Sequence, residues 1–272
     1  MKTHRLGDYG DDVGLLQRRL GRAGFPLDVT HLYDDATEAT VIAFQRRTGL
    51  VDDGIAGPKT YAALATGRRD SKHLSAADLE LAAQTLGVPV ACVRAVNEVE
   101  SRGSGFLPDG RPAILFERHV FWKRLKARGI DPAPLAAKYP IIVSQTHGGY
   151  QGGAAEYTRL AAAELIDASA TWESASWGAF QVMGYHWERL GYASVDDFVA
   201  RMESGEVDHL DAFVRYVAAD TALAAALKGR KWAAFAKGYN GPDYAANLYD
   251  VKLARAYDRY TALATATTAA VA

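Results

Sequence analysis

The sequence predicts a mainly α chain in two parts, a small three-helix bundle followed by a larger α+β domain dominated by helices. Three observations point there. Apolar residues recur at a helical period through most of the chain. A polar stretch without that period, T-G-R-R-D-S-K at residues 66–72, separates a self-contained first segment from the rest. Only one short stretch, residues 113–117, reads as a strand. The expected division is 1–66, a linker at 67–75, and 76–272.

In the first part, Val13, Leu16, Gln17 and Leu20 form a helical stripe stopped by Gly21 and Gly24. Thr37, Val41, Ile42, Ala43 and Phe44 give a second helix, and Thr60, Tyr61, Ala63 and Leu64 a third. An approximate repeat runs through them. L-Y-D-D-A-T-E-A-T-V and D-D-G-I-A-G-P-K-T-Y-A-A-L each set acidic turn residues before a Thr that opens an apolar-periodic segment. Thr37 and Thr60 are suitable N-caps.

Composition narrows the function classes. With 272 residues, 49% of them apolar, the chain can build a sizeable core. A formal charge of −1 argues against nucleic acid or an anionic membrane as partner. The single cysteine, Cys92, allows no intrachain disulfide and reads as a small buried apolar residue. The N-terminal M-K-T-H-R-L-G-D-Y-G lacks the apolar run of a signal peptide or anchor. No stretch approaches the ~18–20 apolar residues of a membrane span. His4, His31, His73, His119, His147, His186 and His209 show neither H-E-x-x-H nor any paired spacing, so no metal is expected.

In the larger part, Ser75 caps a helix that ends at Gly87, and Pro89 suits the start of the next, which runs to about Glu100. On a 3.6-residue period Val93, Val96 and Glu100 share one face. Glu98 falls on another face with Ala91, Arg94 and Ala95, where Arg94 can pair with it at i,i+4. Glu100 thus continues the buried stripe, where desolvation raises a carboxyl pKa. An exposed last-turn glutamate is the other reading, and spacing alone leaves both open. Ser101, Gly103 and Gly105 follow as a Gly/Ser loop.

Further on, the strand at 113–117 leads into a helix at 119–128. Glu117 is either a second site carboxylate or a partner of Arg118 or Arg111. Residues 154–170 read as one alanine-rich helix, and 195–204, 207–228 and 232–237 as three more. T-W-E-S-A-S-W-G-A-F-Q-V-M-G-Y-H-W at 171–187 suits a sugar groove, since aromatic faces stack on pyranose rings and amides bind hydroxyls. An aromatic-rich core is the alternative. G-Y-N-G-P-D-Y interrupts the pattern before a last helix at 244–263, in which Tyr249, Tyr257 and Tyr260 read as packing residues.

Two resemblances emerge. The ordered Gly-x-x-Gly, Leu-Gln, Phe-Gln, Gly-Leu, Asp-Gly and Gly-x-x-Thr elements of the first segment resemble the peptidoglycan-binding module of many wall hydrolases. Asp35 departs from that pattern, standing where the first repeat usually has Gly. The resemblance implies a three-helix wall-binding bundle whose loops face the wall. Its candidate contacts are Tyr33, Asp53, Ile55 and Thr60, each of which also fits a turn or cap role. In the larger part, N-E-V-E-S-R-G-S-G-F, I-L-F-E-R-H-V-F-W and A-S-W-G-A-F-Q-V-M-G resemble the N-acetylmuramidase domain of modular phage endolysins. Glu100-Ser101, S-W-G-A-F-Q-V-M-G and Tyr239-Asn240-Gly241 also resemble signatures of lysozyme-like muramidases and lytic transglycosylases.

That resemblance implies a lysozyme-like fold and cleavage of the β-1,4 bond between N-acetylmuramic acid and N-acetylglucosamine. The family's catalytic acid carries over to Glu100. Glu117 is the candidate second carboxylate, with Asp109 and Glu173 as weaker ones. Ser176, Gln181, Tyr239 and Asn240 are the substrate-binding candidates. If water intercepts the sugar cation the enzyme is a hydrolase; if the muramic C6 hydroxyl does, it is a lytic transglycosylase giving 1,6-anhydro ends. A non-catalytic wall-binding virion protein is the alternative from another class. The expected partner is bacterial peptidoglycan, with no nucleic acid, no stable membrane insertion and no cofactor, and the chain is expected to be a monomer. The resemblance further implies synthesis in a host cytoplasm and action in the periplasm after release through a holin-type pore.

Overall fold

The structure, a computed structural model, describes residues 2–101 and 104–271, with side chains as far as Thr265. Gly103 of the Gly/Ser loop lies outside the described residues. Among them are fourteen α-helices and one three-stranded antiparallel sheet. The chain divides into two compact units, residues 1–98 with 251–272, and residues 99–250.

The first unit opens with α1 (Asp11–Arg22), α2 (Asp35–Thr48) and α3 (Pro58–Thr66). Val13, Leu16 and Leu20 of α1 pack with Val41, Phe44 and Tyr61 around the fully buried Tyr33. The Thr caps are not formed. Asp34 caps α2 by accepting from Thr37 N at 2.8 Å, and Gly57 precedes Pro58 at the start of α3. The two threonines serve two buried glutamines instead. Gln17 Nε2 donates to Thr37 Oγ1, Thr30 Oγ1 and Leu32 O at 2.9–3.0 Å, while its Oε1 accepts from His31 N. Gln45 Nε2 donates to Thr60 Oγ1, Asp53 Oδ1 and Ile55 O at 2.8–3.2 Å, while its Oε1 accepts from Gly54 N. The internal repeat is therefore physical. Each helix contributes one Gln whose amide satisfies the backbone of the following acidic loop.

This corrects the candidate wall contacts. Tyr33 is buried and donates to Gly54 O at 2.8 Å, and burial, with the nearby Asp53, keeps its hydroxyl protonated far above the usual range. Thr60 is buried too, and Asp53 is turned inward onto Gln45 and Ile55 N. Only Ile55 of the four keeps a partly exposed apolar side chain with no such duty. The most exposed aromatic of this module is Tyr9, beside the exposed Leu32.

α4 (Ala76–Leu86) starts in a Ser75–Asp78 capping box and ends at Gly87 in the left-handed region. α5 (Val90–Glu100) buries Ala91, Cys92, Val93, Ala95 and Val96. Arg94 does not pair with Glu98. It reaches the mostly buried Asp52, at 2.6 Å, which also takes Arg46 at 2.7 Å. Glu98 takes Arg259 of the C-terminal helix (Tyr249–Val271), and Arg259 donates to Asp53 O at 2.8 Å. A pair held in a low-dielectric pocket outcompetes an exposed i,i+4 pair. No single helix among the described residues is long and apolar enough to cross a membrane.

In the second unit come β1 (Ile114–Phe116), α6 (Arg118–Ala127), α7 (Ala133–Lys138), α8 (Ala155–Glu164) and α9 (Ala168–Glu173). β2 (Ala175–Trp177) and β3 (Val182–Met183) follow, then α10 (Val195–Ser204), α11 (Glu206–Ala218), α12 (Thr221–Lys228) and α13 (Trp232–Asn240). The sheet order is β1-β2-β3, with Leu115 opposite Ser176 and Ser176 opposite Met183. The expected helix at 154–170 is broken, because Asp167 caps a new one by accepting from Ala170 N at 2.7 Å. Asp220 divides 207–228 in the same way, accepting from Ala222 N and Leu223 N. The last helix starts at Tyr249, after a 3-10 turn at Pro242–Ala245.

Two charge clusters hold this unit. Glu156 and Arg159, both essentially without exposed surface, pair at 2.6 Å. Glu156 also accepts from Phe116 N, Gln151 N and Gly152 N, while Arg159 donates to Phe116 O and Ile141 O. Burial pushes the Glu156 carboxyl up, and its three backbone donors and Arg159 more than reverse that. Glu173 is likewise structural. It accepts from Arg124 at 2.6 Å, Arg128 at 2.9 Å and Trp187 Nε1 at 3.1 Å. Burial opposes its charge, but these donors win and hold its pKa at about 2. Its weaker candidacy as a catalytic carboxylate ends there.

Two outcomes follow. Glu156→Gln removes the charge that compensates Arg159 and should cost about 3–5 kcal/mol in urea denaturation. Glu173 has a folded pKa below its unfolded one, so its contribution is complete above the ordinary carboxylate range and fades as pH falls toward about 2. Melting temperatures of Glu173→Gln should lie below wild type at pH 7, with the gap narrowing as pH falls from about 5.

Candidate active site

A cleft of ≈ 700 Å³ in the second unit collects residues that lie far apart in sequence. Its volume falls within the range of ligand sites. Glu100 and Ser101 enter from the end of α5, Ser176 and Gln181 from the β2–β3 hairpin, and Tyr239 and Asn240 from the end of α13. All five of the nominated positions Glu100, Ser176, Gln181, Tyr239 and Asn240 are therefore brought together. Glu117 is not.

Glu100 is half-buried, and Asn240 Nδ2 donates to both its oxygens, at 3.2 and 3.1 Å. The other end of that amide, Asn240 Oδ1, is buried with no partner. Among the described residues lining the cleft, Glu100 is the only carboxylate.

The hairpin is built by glycine and by internal hydrogen bonds. Gly178 has φ +71°, and a Cβ there would lie 2.6 Å from the His209 ring. Gln181, also in the left-handed region at φ 50°, turns its amide back on the hairpin. Its Oε1 accepts from Ser176 Oγ at 2.9 Å, and its Nε2 donates to Gly178 O at 2.8 Å and Ala113 O at 3.3 Å. Ser176 and Gln181 therefore brace the cleft wall with the polar atoms that were expected to hold sugar. Tyr239 behaves similarly. Its hydroxyl donates to Phe180 O at 2.6 Å, while burial, then the Glu100 charge, keep it protonated well above the usual range. Its ring stacks parallel to Phe235 with centroids 5.7 Å apart.

The first turn of α11 positions both sides of the site. Glu206 Oε1 accepts from Gly105 N at 2.9 Å, fixing the loop after Glu100. His209 Nδ1 accepts from Ala179 N at 3.1 Å, fixing the hairpin turn, while its Nε2 lies 2.7 Å from Met202 O. That arrangement assigns the proton to Nε2. A Glu and a His three apart in the first turn of a helix were the available signal, but their partners are visible only in three dimensions.

Other nominations are corrected. Glu117 stands at the N-terminus of α6, accepts from Tyr150 Oη at 2.7 Å, and does not line the cleft. Phe116 ends the strand, so the chain turns away before Glu117. Asp109 is exposed and tied to Arg111 at 2.6 Å. The three tryptophans are structural. Trp172, Trp177 and Trp187 donate to Glu164, Trp172 O and Glu173, and none lines the cleft. The aromatic lining comes instead from Phe180, Tyr185, His186, Tyr216, Tyr239 and Tyr249. Tyr249 is thus a cleft residue rather than a packing one. Burial, then Arg189, holds His186 at about 4, so its imidazole is neutral at neutral pH.

Comparison with known proteins gives the family of each part. The family model for N-acetylmuramidase matches residues 89–261, and that for a putative peptidoglycan binding domain matches residues 9–64. No curated protein sequence matches at a significant level. Among solved structures, the crystal structure of Burkholderia AP3 phage endolysin is similar at 56% identity and a TM-score of 0.92, over 97% of this chain and 100% of that one. With the matched segment covering well over half its length and the cleft built from that segment, the chain belongs to the N-acetylmuramidase family and carries a peptidoglycan-binding module ahead of its muramidase domain.

Proposed function

We propose that Glu100 is the general acid of a peptidoglycan glycosidase that cleaves the β-1,4 bond between N-acetylmuramic acid and N-acetylglucosamine to lyse a phage-infected host. The observation that supports this most is that Glu100 is the one carboxylate among the described lining residues, held by the amide of Asn240. Protonated Glu100 gives its proton to the glycosidic oxygen as the bond to C1 breaks, and N-acetylglucosamine leaves with its 4-hydroxyl restored. Water then bonds to C1 and returns a proton to the Glu100 carboxylate.

Asn240 suits both protonation states of such an acid. Its Nδ2 donates to the carboxylate. Rotation by 180° offers the unpartnered Oδ1 to the protonated carboxyl. Tyr185, Tyr216 and Tyr249 supply faces for pyranose rings. The brace made by Ser176, Gln181 and Tyr239 keeps these groups in place before substrate arrives. Residues 1–66 bring the enzyme to the wall, with Ile55 and the exposed Tyr9 as its contact candidates. The chain works as a monomer, made in the host cytoplasm and released to the wall through a holin-type pore; this part of the reading rests on resemblance.

The single carboxylate also favours one second reading. The muramic C6 hydroxyl needs no second carboxylate near C1 to close on it, and would leave a 1,6-anhydro end.

Glu100→Gln should lower the rate on purified peptidoglycan by about 10²–10⁴-fold while melting temperature and wall binding are kept. An unchanged rate would remove Glu100 from the chemistry and favour the non-catalytic wall-binding alternative. Mass spectrometry of the digest should show reducing N-acetylmuramic ends. Anhydro ends would replace water by the C6 hydroxyl, and cleaved amide bonds would overturn both readings.

A further inference from the structure

Outside the cleft, three ligand-type side chains meet that no local spacing in the sequence announces. Glu117 and His119 come from the start of α6, and His147 from the loop that follows α7. One ligand atom from each lies within 4.8 Å of the other two. Glu117 Oε2 and His119 Nδ1 are 3.2 Å apart, close to the ~3.4 Å edge of a tetrahedron with ~2.1 Å metal–ligand bonds. The two imidazole rings lie against each other with centroids 3.6 Å apart, so the exposed His147 ring must swing outward for both to reach one tetrahedral ion.

The cluster is built rather than accidental. Arg118 clamps the His147 loop to α6 by donating to Pro140 O, Thr146 O and His147 O at 2.8–3.0 Å. Gly149 packs so closely that a Cβ would lie 3.3 Å from the Arg118 guanidinium, and its φ of +79° suits glycine. Tyr150, on the same loop, donates to Glu117 Oε2 at 2.7 Å, as an outer-shell donor fixes a metal-binding carboxylate. His119 Nδ1 is buried with no hydrogen-bond partner despite its nearness to Glu117. A donor or acceptor left so is costly unless something else satisfies it. His147 is exposed, which leaves an entry path.

We infer that Glu117, His119 and His147 bind one divalent ion of the zinc class. Two imidazoles and one carboxylate match its ligand preference and disfavour calcium or magnesium, which take oxygen ligands. Three protein ligands leave a fourth position to water, so the ion is exchangeable. Bound there, it staples the loop at 139–153 to α6, and that loop ends in Gly152 and Gly153 on the rim of the cleft. The site is separate from the acid chemistry of Glu100 and holds whether or not that residue is catalytic.

The test uses the tag-free full chain. Calorimetric titration with ZnCl2 should show one site per chain, with no comparable uptake of Ca²⁺ or Mg²⁺. Cobalt(II) should give the visible absorption of a four-coordinate site. His147→Ala and His119→Ala should each weaken zinc by at least the ~10–100-fold that loss of an outer-shell partner costs, and Tyr150→Phe by about tenfold. Zinc should raise the melting temperature of wild type but not of His147→Ala, a variant at an exposed position whose folding circular dichroism verifies. Absence of stoichiometric zinc binding, or equal affinity in wild type and His147→Ala, overturns the proposal.

Discussion

The buried Glu156–Arg159 pair is the interaction on which the catalytic unit most depends. Neither group reaches solvent, so each is tolerable only because the other is present and because backbone groups satisfy the rest of both. Those backbone groups are the informative part. They belong to Phe116 at the end of the strand, to Ile141, to Gln151, and to Gly152 at the rim of the cleft. One pair on α8 thus sets the end of β1, the path of an otherwise irregular loop and the edge of the cleft. Irregular loops have few backbone hydrogen bonds of their own, and here a buried charge supplies what a sheet or helix would supply elsewhere.

The cleft follows the same logic on a smaller scale. Side chains of the type that holds sugar spend their polar atoms on the protein. Ser176 and Gln181 lock the hairpin, Tyr239 pins Phe180 O, and His209 receives Ala179 N. What remains available is a carboxyl, an amide with a spare acceptor, and aromatic faces. This is economical for a glycosidase. The chemistry needs one positioned proton donor, and rigidity in the surrounding wall keeps reorganisation out of the barrier.

Much of this was legible in the residues, and the limits are physical. Helical phase separated Glu100 from Glu98, and the ordered motifs picked out Gln181, Tyr239 and Asn240 as its neighbours in space. The stripe of Val13, Leu16 and Leu20 and the cap at Ser75 follow from helical period and capping chemistry alone. Helix breaks at Asp167 and Asp220 were hidden because alanine-rich segments keep helical periodicity across a cap. β2 and β3 are too short to show alternation. Partner choice was the least visible. Helical spacing offers Arg94 its neighbour Glu98, whereas the mostly buried Asp52 of a distant loop takes it, and strand phase leaves Glu117 either in the cleft or beside an arginine, whereas the chain turns away before it. The tryptophans misled because a ring that stacks on sugar and a ring that fills a core look alike in sequence.

The C-terminal helix has a consequence for how such proteins are assembled and exchanged. From Val251 on, it belongs to the compact unit formed by residues 1–98, and its Arg259 joins Glu98 to the backbone of Asp53. Asp52, one residue before, is taken by Arg94 of α5. The acidic loop of the targeting module is thereby satisfied by residues that a cut at the polar linker would leave on the other fragment. Lysins are often treated as interchangeable heads and tails. In this chain a recombinant swap at residues 67–75 would separate partners on both sides of the seam, so a functional graft must carry residues 94, 98 and 259, or their equivalents, along with the module they support.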